Sequence, residues 1–267
     1  MDRRRAVLLA LDKTYSKPEY LGTDPVEMPL RYAASEEREL AGLLCALFAY
    51  GNVKSMRSFL WSLLAAAPIK GLLGSGADVP YYRFQTRSDV AVALHAVCFV
   101  RDQEGTFEVY FKGGRPLRDG ISRLQKDLLK ACGKRTRGLV HLFGDPDAAS
   151  ARKRFCMFLR WMVRRGFPDF GLYTSIEPVR LVVPLDIHMI HMADNLDLVK
   201  ISSPSFKAAE ALTEVFRRIE PNDPLRFDFA LTRPGIAGVC RSRFLPGCES
   251  CGVKTICRIY NAGKQKE

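Results

Sequence analysis

The chain has 267 residues, 47% of them hydrophobic, and a formal net charge of +12 at pH 7. This length and apolar content are enough for one large hydrophobic core or two smaller ones. No apolar run is long enough to span a bilayer, and the short apolar run at 6–11 ends at charged residues, which argues against a secretion signal. We therefore expect a cytoplasmic protein with reduced thiols.

The positive charge is concentrated in the middle of the chain, where basic residues heavily outnumber acidic ones between Lys112 and Arg165. A basic excess of this size, with a sequence pI near 9.4, predicts a polyanionic partner, either nucleic acid or an anionic membrane surface. An ordinary solvated basic face remains the alternative for this region.

Helical periodicity recurs along the chain, whereas the alternation typical of strands does not. Ser35 is expected to cap a helix that ends at Gly51, and Ser88 is expected to open another. Between them the pattern predicts a helix that ends before Pro68 and a glycine-rich connection at 69–86. Apolar stripes predict further helices over 121–129, 155–163, about 185–196, 205–219 and 224–234. The pattern predicts an all-α protein with short connections.

Four cysteines lie close together near the C-terminus in the spacing C-x7-C-x2-C-x5-C, namely Cys240, Cys248, Cys251 and Cys257. Four converging thiolates can enclose and neutralise a [4Fe–4S] cluster or a zinc ion. The cluster is the first prediction, zinc the alternative, and four unliganded thiols the third interpretation. Disulfides would require an oxidising compartment. The remaining cysteines are expected to be small buried residues: Cys45, Cys98, Cys132 and Cys156.

The segment 182–190 reads VVPLDIHMI and places Asp186 just after Pro184, where a predicted helix begins. On its own this is a typical N-cap position. The segment also resembles the V-D-T-H-[VI] motif of the helix-hairpin-helix DNA glycosylases, the endonuclease III-like superfamily, in which the aspartate is catalytic. In that superfamily further helices and a cluster loop spaced C-x6-C-x2-C-x5-C follow. Here the first gap between cysteines is one residue longer.

Other segments extend the resemblance over nearly the whole chain. The string LLCALFAY at 43–50 resembles the superfamily's L-L-S-A-Q-A-T-D helix end, and 227–231 with 238–240 resemble the helix that leads into the cluster. The stretch 142–153 aligns with the family's hairpin, although it lacks the second glycine and contains two acids. The chain resembles one bacterial branch of the superfamily more closely, through strings at 49–52, 82–85, 153–164 and 184–186.

The resemblance implies two helical lobes with a central cleft. Residues 39–183 would form a helical barrel lobe. Residues 1–38 and 184–267 would form a second, discontinuous lobe that carries a [4Fe–4S] loop at 240–257. The aligned hairpin stretch and Asp186 would both lie at the cleft.

The resemblance further implies a DNA repair glycosylase, which flips a damaged base out of the duplex and excises it. Asp186 would stabilise the positive charge that develops on the sugar, or activate the attacking group. Lys153 would form a Schiff base in an enzyme that also has lyase activity, and a phosphate contact is its alternative role. The implied DNA-binding residues are Ser150, Arg152, Arg154, Arg241, Arg243 and Lys254. The candidates for the base pocket or a wedge, with core packing as their alternative, are Phe48, Tyr50 and Trp161.

The expected partner is double-stranded DNA, bound by a monomer without membrane attachment. Two other functions remain open. One is a non-catalytic iron–sulfur protein that binds nucleic acid and kept the glycosylase fold. The other is a small redox carrier. The damaged base, the choice between a glycosylase and a combined glycosylase and lyase, and the choice between DNA and RNA also stay open.

Overall fold

The computed structural model describes residues 3–64, 68–73 and 79–265. Within these ranges the chain forms α-helices and short 3-10 helices, with no strand, so the all-α prediction is confirmed. Residues 65–67 and 74–78, at the predicted end of the second helix and in the glycine-rich connection, lie outside the described residues. The α-helices are α1 (Arg3–Tyr15), α2 (Ser35–Leu47), α3 (Val53–Leu64), α4 (Arg87–Glu104), α5 (Leu117–Ala131), α6 (Arg137–Phe143), α7 (Lys153–Val163), α8 (Ile187–Asn195), α9 (Phe206–Ile219), α10 (Asp228–Ile236) and α11 (Arg258–Lys264).

The ends of two helices differ from the prediction. Ser35 is the first residue of α2 and not its cap, and α2 ends at Leu47, ahead of the turn at Gly51. Helix α4 is capped by Thr86 and not opened by Ser88. The Thr86 hydroxyl accepts a hydrogen bond from the Asp89 backbone N–H, and the Asp89 carboxylate accepts one from the Thr86 backbone N–H. This reciprocal capping box satisfies two N–H groups at the helix start, which Ser88 alone would not do.

Helix α2 is the central element of the core, since every residue of α2 from Glu39 to Leu47 is buried. It packs against α7 and α4, while α4 packs on α5, and α5 on α6. Helix α10 packs against α1 and α8. The buried hydrophobic side chains form one connected cluster that extends from Leu8 to Val253. The core is therefore continuous across the two predicted lobes, and their boundaries stay a prediction.

A buried network of ion pairs fixes α7 to α10. Arg160 pairs with Asp228 and, at 3.1 Å, with Asp169. Arg164 pairs with Asp169 and, at 2.8 Å, with Asp223. Both arginines are buried, so they do not contribute to the basic surface predicted for the middle of the chain. Removing one partner of such a buried pair typically costs about 3–5 kcal/mol, because the other charge stays buried without compensation.

The residues that the structure describes include no helix with the length and apolarity needed to cross a bilayer.

Candidate active site and candidate cluster site

A cleft of about 390 Å³ lies where the first residues of α7 and α8 approach α10. Its volume is within the usual range for small-molecule and cofactor sites. The wall combines carboxylates, cations and aromatic rings. The charged and aromatic residues of this wall include Asp24, Tyr50, His141, Lys153, Arg154, Arg160, Asp186, Asp228 and Arg233.

Lys153 and Asp186 meet in this cleft. Lys153 is the first residue of α7, Asp186 immediately precedes α8, and 3.6 Å separates Lys153 Nζ from Asp186 Oδ2. Their side chains are 31% and 21% exposed, so both are accessible from the cleft and partly shielded from water. The other carboxylate oxygen, Oδ1, accepts a hydrogen bond of 2.9 Å from the Met189 N–H. Asp186 is thus the N-cap of α8 and also a charge in the cleft.

A second carboxylate, Asp228, forms part of the cleft floor. It is buried and paired with Arg160, and burial raises its pKa. Asp186 lines the same cleft, and its negative charge also acts to raise the pKa of Asp228, whereas Arg160 acts to lower it. Beside them Arg233 pairs with Asp24 at 2.9 Å. The sequence pattern does not predict this floor, because a charged residue inside an apolar helix pattern does not reveal which distant residue neutralises it.

The opposite wall is aromatic. The Tyr50 ring lies 4.9 Å from the His141 ring, and the Arg154 guanidinium lies 5.4 Å from the centre of the Tyr50 ring. Burial raises the pKa of Tyr50 to about 12. Burial and the cations Arg154 and Arg83 lower the pKa of His141. At neutral pH this wall therefore presents a neutral phenol and a neutral imidazole.

The structure corrects the assignment of Phe48 and Trp161 to a base pocket or wedge. Both side chains have no solvent exposure, and the Phe48 ring packs against Phe59 with 4.7 Å between ring centres. The core interpretation therefore applies to both residues. Tyr50 alone of the three candidates lines the cleft.

The structure also corrects the DNA-binding assignment of Arg152, which is only 6% exposed. Its guanidinium donates hydrogen bonds to Gln125 Oε1 at 2.6 Å, Ser122 Oγ at 2.8 Å and the Pro146 carbonyl at 2.5 Å. Arg152 therefore fixes the connection between α6 and α7 to α5 and has no free face for a phosphate. Ser150, in the same connection, is exposed.

Arg154 is half-buried and also bonded to the backbone. It donates hydrogen bonds of 3.1 Å to the Leu47 carbonyl and 2.6 Å to the His141 carbonyl. These contacts tie α7 to the end of α2 and to α6. Arg154 nevertheless lines the cleft, where its guanidinium lies against the Tyr50 ring.

The four C-terminal cysteines line one small cavity, together with Asn195 and Ser242. The Asn195 amide donates a hydrogen bond of 3.3 Å to Cys240 Sγ. Burial raises the pKa of Cys251, and the other three thiols raise it further. Two buried oxygens, Asn195 Oδ1 and Ser242 Oγ, have no hydrogen-bond partner. The cavity thus combines four mutually close thiols with polar groups that their protein neighbours leave unsatisfied. The four other cysteines are buried, as predicted.

Among the described residues, no three His, Cys, Asp or Glu side chains converge as the ligands of a single metal ion would. A zinc ion holds each thiolate sulfur about 2.3 Å from one centre, which brings the sulfurs very close together. An iron–sulfur cluster places four irons and four sulfides between the thiolates and needs more room. Four thiolates are a donor set that both groups use, so the choice between the cluster and zinc stays a prediction.

Cations surround the cysteine cavity. Arg241 and Arg243 are exposed, whereas Lys254 donates a hydrogen bond of 2.5 Å to the Glu249 carbonyl. Arg258 is exposed too, and it pairs with Asp194 at the end of α8. Of the three tail residues predicted to bind DNA, the two arginines are the more accessible.

The sequence model of a family described as "Protein of unknown function (DUF2400)" matches residues 24–237, so the chain belongs to that family. The matched range includes Lys153, Asp186 and Asp228 and ends three residues before Cys240. No curated protein matches the chain, and no solved structure matches it.

Proposed function

We propose that this member of the DUF2400 family is a DNA glycosylase that excises a damaged base in the cleft and has the architecture of the helix-hairpin-helix glycosylases. The observation that carries the proposal is the separation of 3.6 Å between Lys153 Nζ and Asp186 Oδ2 in a cleft large enough for a nucleobase. A carboxylate beside an amine is the pair that glycosidic bond cleavage with Schiff-base formation requires.

Asp186 would act on the charge that develops during cleavage. As the bond between the base and C1′ breaks, positive charge accumulates on the deoxyribose. The Asp186 carboxylate is held in place by the Met189 N–H, so it needs no reorganisation to stabilise that charge. In an enzyme without lyase activity, the same carboxylate would instead accept a proton from the attacking water.

Lys153 would be the nucleophile if the enzyme also has lyase activity. Its ammonium group must first release a proton, and Asp186 Oδ2, at 3.6 Å, can pass that proton on to the departing nucleobase, which returns the carboxylate to its charged form. The neutral amine then forms a bond to C1′ while the bond between C1′ and the nucleobase breaks, and the departing nucleobase takes up the proton. A proton then moves from the nitrogen to the ring oxygen O4′, the bond between C1′ and O4′ breaks, and the protonated Schiff base between Lys153 and C1′ results.

The four cysteines would hold a [4Fe–4S] cluster, which would order the segment 240–257. The shared cavity and the N–H to sulfur hydrogen bond from Asn195 support this proposal. Hydrogen bonds to sulfur are a common feature around such clusters. Arg241 and Arg243 would then be held on an ordered loop and would contact phosphates.

One observation favours the alternative of a non-catalytic protein that binds nucleic acid. Asp186 caps α8, and this structural role explains its position without any chemistry. In this alternative the protein has the cluster and the basic surface but does not excise bases.

Borohydride trapping separates the two functions. The purified protein would be incubated with duplex oligonucleotides that carry oxidised, deaminated or alkylated bases, in the presence and absence of borohydride. The proposal predicts base excision from at least one duplex, and lyase activity adds a covalent adduct with that duplex. A protein with an intact cluster that excises no base from the whole panel would establish the alternative.

A further inference from the structure

Two aromatic side chains are exposed in the short connection that precedes α4. Tyr81 is 69% exposed and Phe84 is 53% exposed, whereas Tyr82, between them, is buried. Keeping an aromatic ring in water forgoes about 1.5–3 kcal/mol of burial free energy. Single exposed apolar residues are common on protein surfaces, so the surroundings of these two rings decide their meaning.

Phe84 extends the aromatic wall of the cleft onto the surface. Its ring is nearly parallel to that of Tyr50, with an interplanar angle of 13° and 6.3 Å between centres. It also lies 4.5 Å from the ring of His141. Since Tyr50 and His141 line the cleft, Phe84 stands at the rim of the candidate active site.

The connection that carries these rings is held firmly. The backbones of Tyr82 and Gln85 exchange two hydrogen bonds of 3.0 and 2.9 Å. The Tyr82 ring stacks on Phe59 at 4.5 Å, and the Gln85 amide donates a hydrogen bond of 2.8 Å to the Gly138 carbonyl. The exposed rings therefore project from a preorganised turn, which lowers the entropic cost of binding.

A cation lies against one of the two exposed rings. Arg83 has a positive φ of 52°, and its guanidinium lies 5.6 Å from the centre of the Phe84 ring. Its side chain also covers Gly51, where a Cβ would come within 2.9 Å of it. In the part of the chain that the structure describes, no carboxylate pairs with Arg83. The turn thus offers two ring faces and one positive charge.

We infer that Tyr81 and Phe84 form a stacking platform for an unpaired nucleobase, and that Arg83 contacts a phosphate of the same strand. Nucleic acid is the occupant that matches both features, because every base has a ring face and every nucleotide a negative charge. The positions of Lys153 and Arg154 in the adjacent cleft extend this complementarity. The inference rests on the proposed function only in placing the strand at the cleft, and it does not require base excision.

The test compares binding to two duplexes that differ by one unpaired base. In one, 2-aminopurine lies opposite an abasic-site analogue, and in the other it is paired with thymine. The variants are Phe84→Ala, Phe84→Leu and Tyr81→Ala. The matched control is Phe99→Ala, since Phe99 is 47% exposed on α4 and its ring neighbour is His95, which is not part of the cleft wall.

Wild-type protein should quench the fluorescence of the unpaired 2-aminopurine, because stacking on an aromatic ring does so. Phe84→Ala should weaken binding to the duplex with the unpaired base by about five- to 100-fold and change binding to the paired duplex less than about twofold. Phe84→Leu should behave like Phe84→Ala, because leucine restores apolar area without a ring face. The control variant should resemble wild type with both duplexes.

Several outcomes would overturn the inference. They are undiminished quenching by the Phe84 variants, equal effects of Phe84→Ala and Phe99→Ala, and wild-type protein that binds neither duplex.

The inference and the proposed function fail separately. Quenching that depends on Phe84, together with no excision from any duplex of the damaged-base panel, would refute the glycosylase alone. Excision by a protein whose binding is insensitive to Phe84 and Tyr81 would refute the platform alone.

Discussion

Asp186 uses its two carboxylate oxygens for different partners: Oδ1 accepts a hydrogen bond from the Met189 N–H, and Oδ2 lies 3.6 Å from Lys153 Nζ. The first contact stabilises α8, and the second places a negative charge in the cleft. An asparagine can replace the first contact but not the second, because its side-chain oxygen still caps a helix while it carries no charge. Structure and chemistry at this position can therefore be separated experimentally.

The cap can be tested through stability. Asp186→Ala should lower the free energy of unfolding by about 1 kcal/mol through loss of the cap, whereas Asp186→Asn should leave it nearly unchanged. Ser205→Ala is the matched control, because the Ser205 hydroxyl caps α9 in the same way and lies outside the cleft. Urea unfolding measures all three variants. An equal loss for Asp186→Asn and Asp186→Ala would show that the cap is not what the alanine removes.

Lys153 can be tested through the trapped adduct. If Lys153 is the nucleophile, Lys153→Ala should abolish the borohydride-dependent adduct entirely, because Lys153 is the one lysine among the described residues of the cleft wall. Lys126→Ala is the matched control, since Lys126 has a carboxylate partner at 3.5 Å but lies outside the cleft. An adduct of wild-type yield with the Lys153 variant would exclude this lysine. Excision without any adduct in wild type would assign the reaction to Asp186 and water.

The cluster can be tested by analysis of metal and sulfide. Protein purified without oxygen should contain about four irons and four labile sulfides per chain. Cys251→Ser should lose most of this content and disorder the C-terminal segment, because metal binding and local folding are coupled. Cys132→Ala, at a buried cysteine far from the cavity in sequence, should retain the full content. Stoichiometric zinc with no labile sulfide would contradict the proposal.

The basic surface can be tested through salt dependence. Affinity for duplex DNA should fall steeply with salt, because each neutralised phosphate releases counterions. Arg243→Glu should weaken binding about equally across sequences and reduce the slope against salt. The control is Arg218→Glu, at a side chain that is 78% exposed on α9. Affinity that stays constant from low to physiological salt would argue against a nucleic-acid partner.

The packing behind the aromatic turn can be tested at Gly138 on α6. A Cβ there would lie 2.5 Å from Asp89 Oδ2 and 2.8 Å from the Phe84 carbonyl, so an alanine forces the turn or the α4 cap to move. We expect Gly138→Ala to destabilise the protein by about 1–3 kcal/mol. Gly22→Ala is the control, because the nearest atom to its Cβ would be 4.0 Å away. Thermal unfolding distinguishes them, and equal midpoints would contradict the described contact.

Local patterns predicted the elements that depend on neighbours in sequence. The apolar stripe of α7 follows from residues three and four apart, and the position of Asp186 follows from the proline and helix start around it. The side chains whose predicted exposure was wrong are buried by partners that are distant in sequence. Arg160 is buried because Asp228 lies against it, and Arg152 because α5 supplies Gln125. The basic excess between Lys112 and Arg165 counted Arg160 toward a charged surface, and the family resemblance assigned Arg152 to DNA.

Dependence on partners distant in sequence also explains why some residues of the site could not be predicted from the sequence. Asp228 and His141 reach the cleft through the packing of α10 and α6, which no local spacing encodes. Phe84 is exposed although aromatic residues are usually buried, and only its contacts with Tyr50 and His141 connect it to the cleft. The string at 82–85 contributes to the family resemblance, but it does not predict that Phe84 lies beside the cleft.

The most direct test of the proposed glycosylase is single-turnover base excision by wild-type protein and by Asp186→Asn, with DNA binding measured in parallel. Asparagine keeps the α8 cap and removes the charge that would stabilise the transition state. The account predicts a loss of excision rate of about 100-fold or more with unchanged or tighter binding. An Asp186→Asn variant that excises the base as fast as wild type would contradict it.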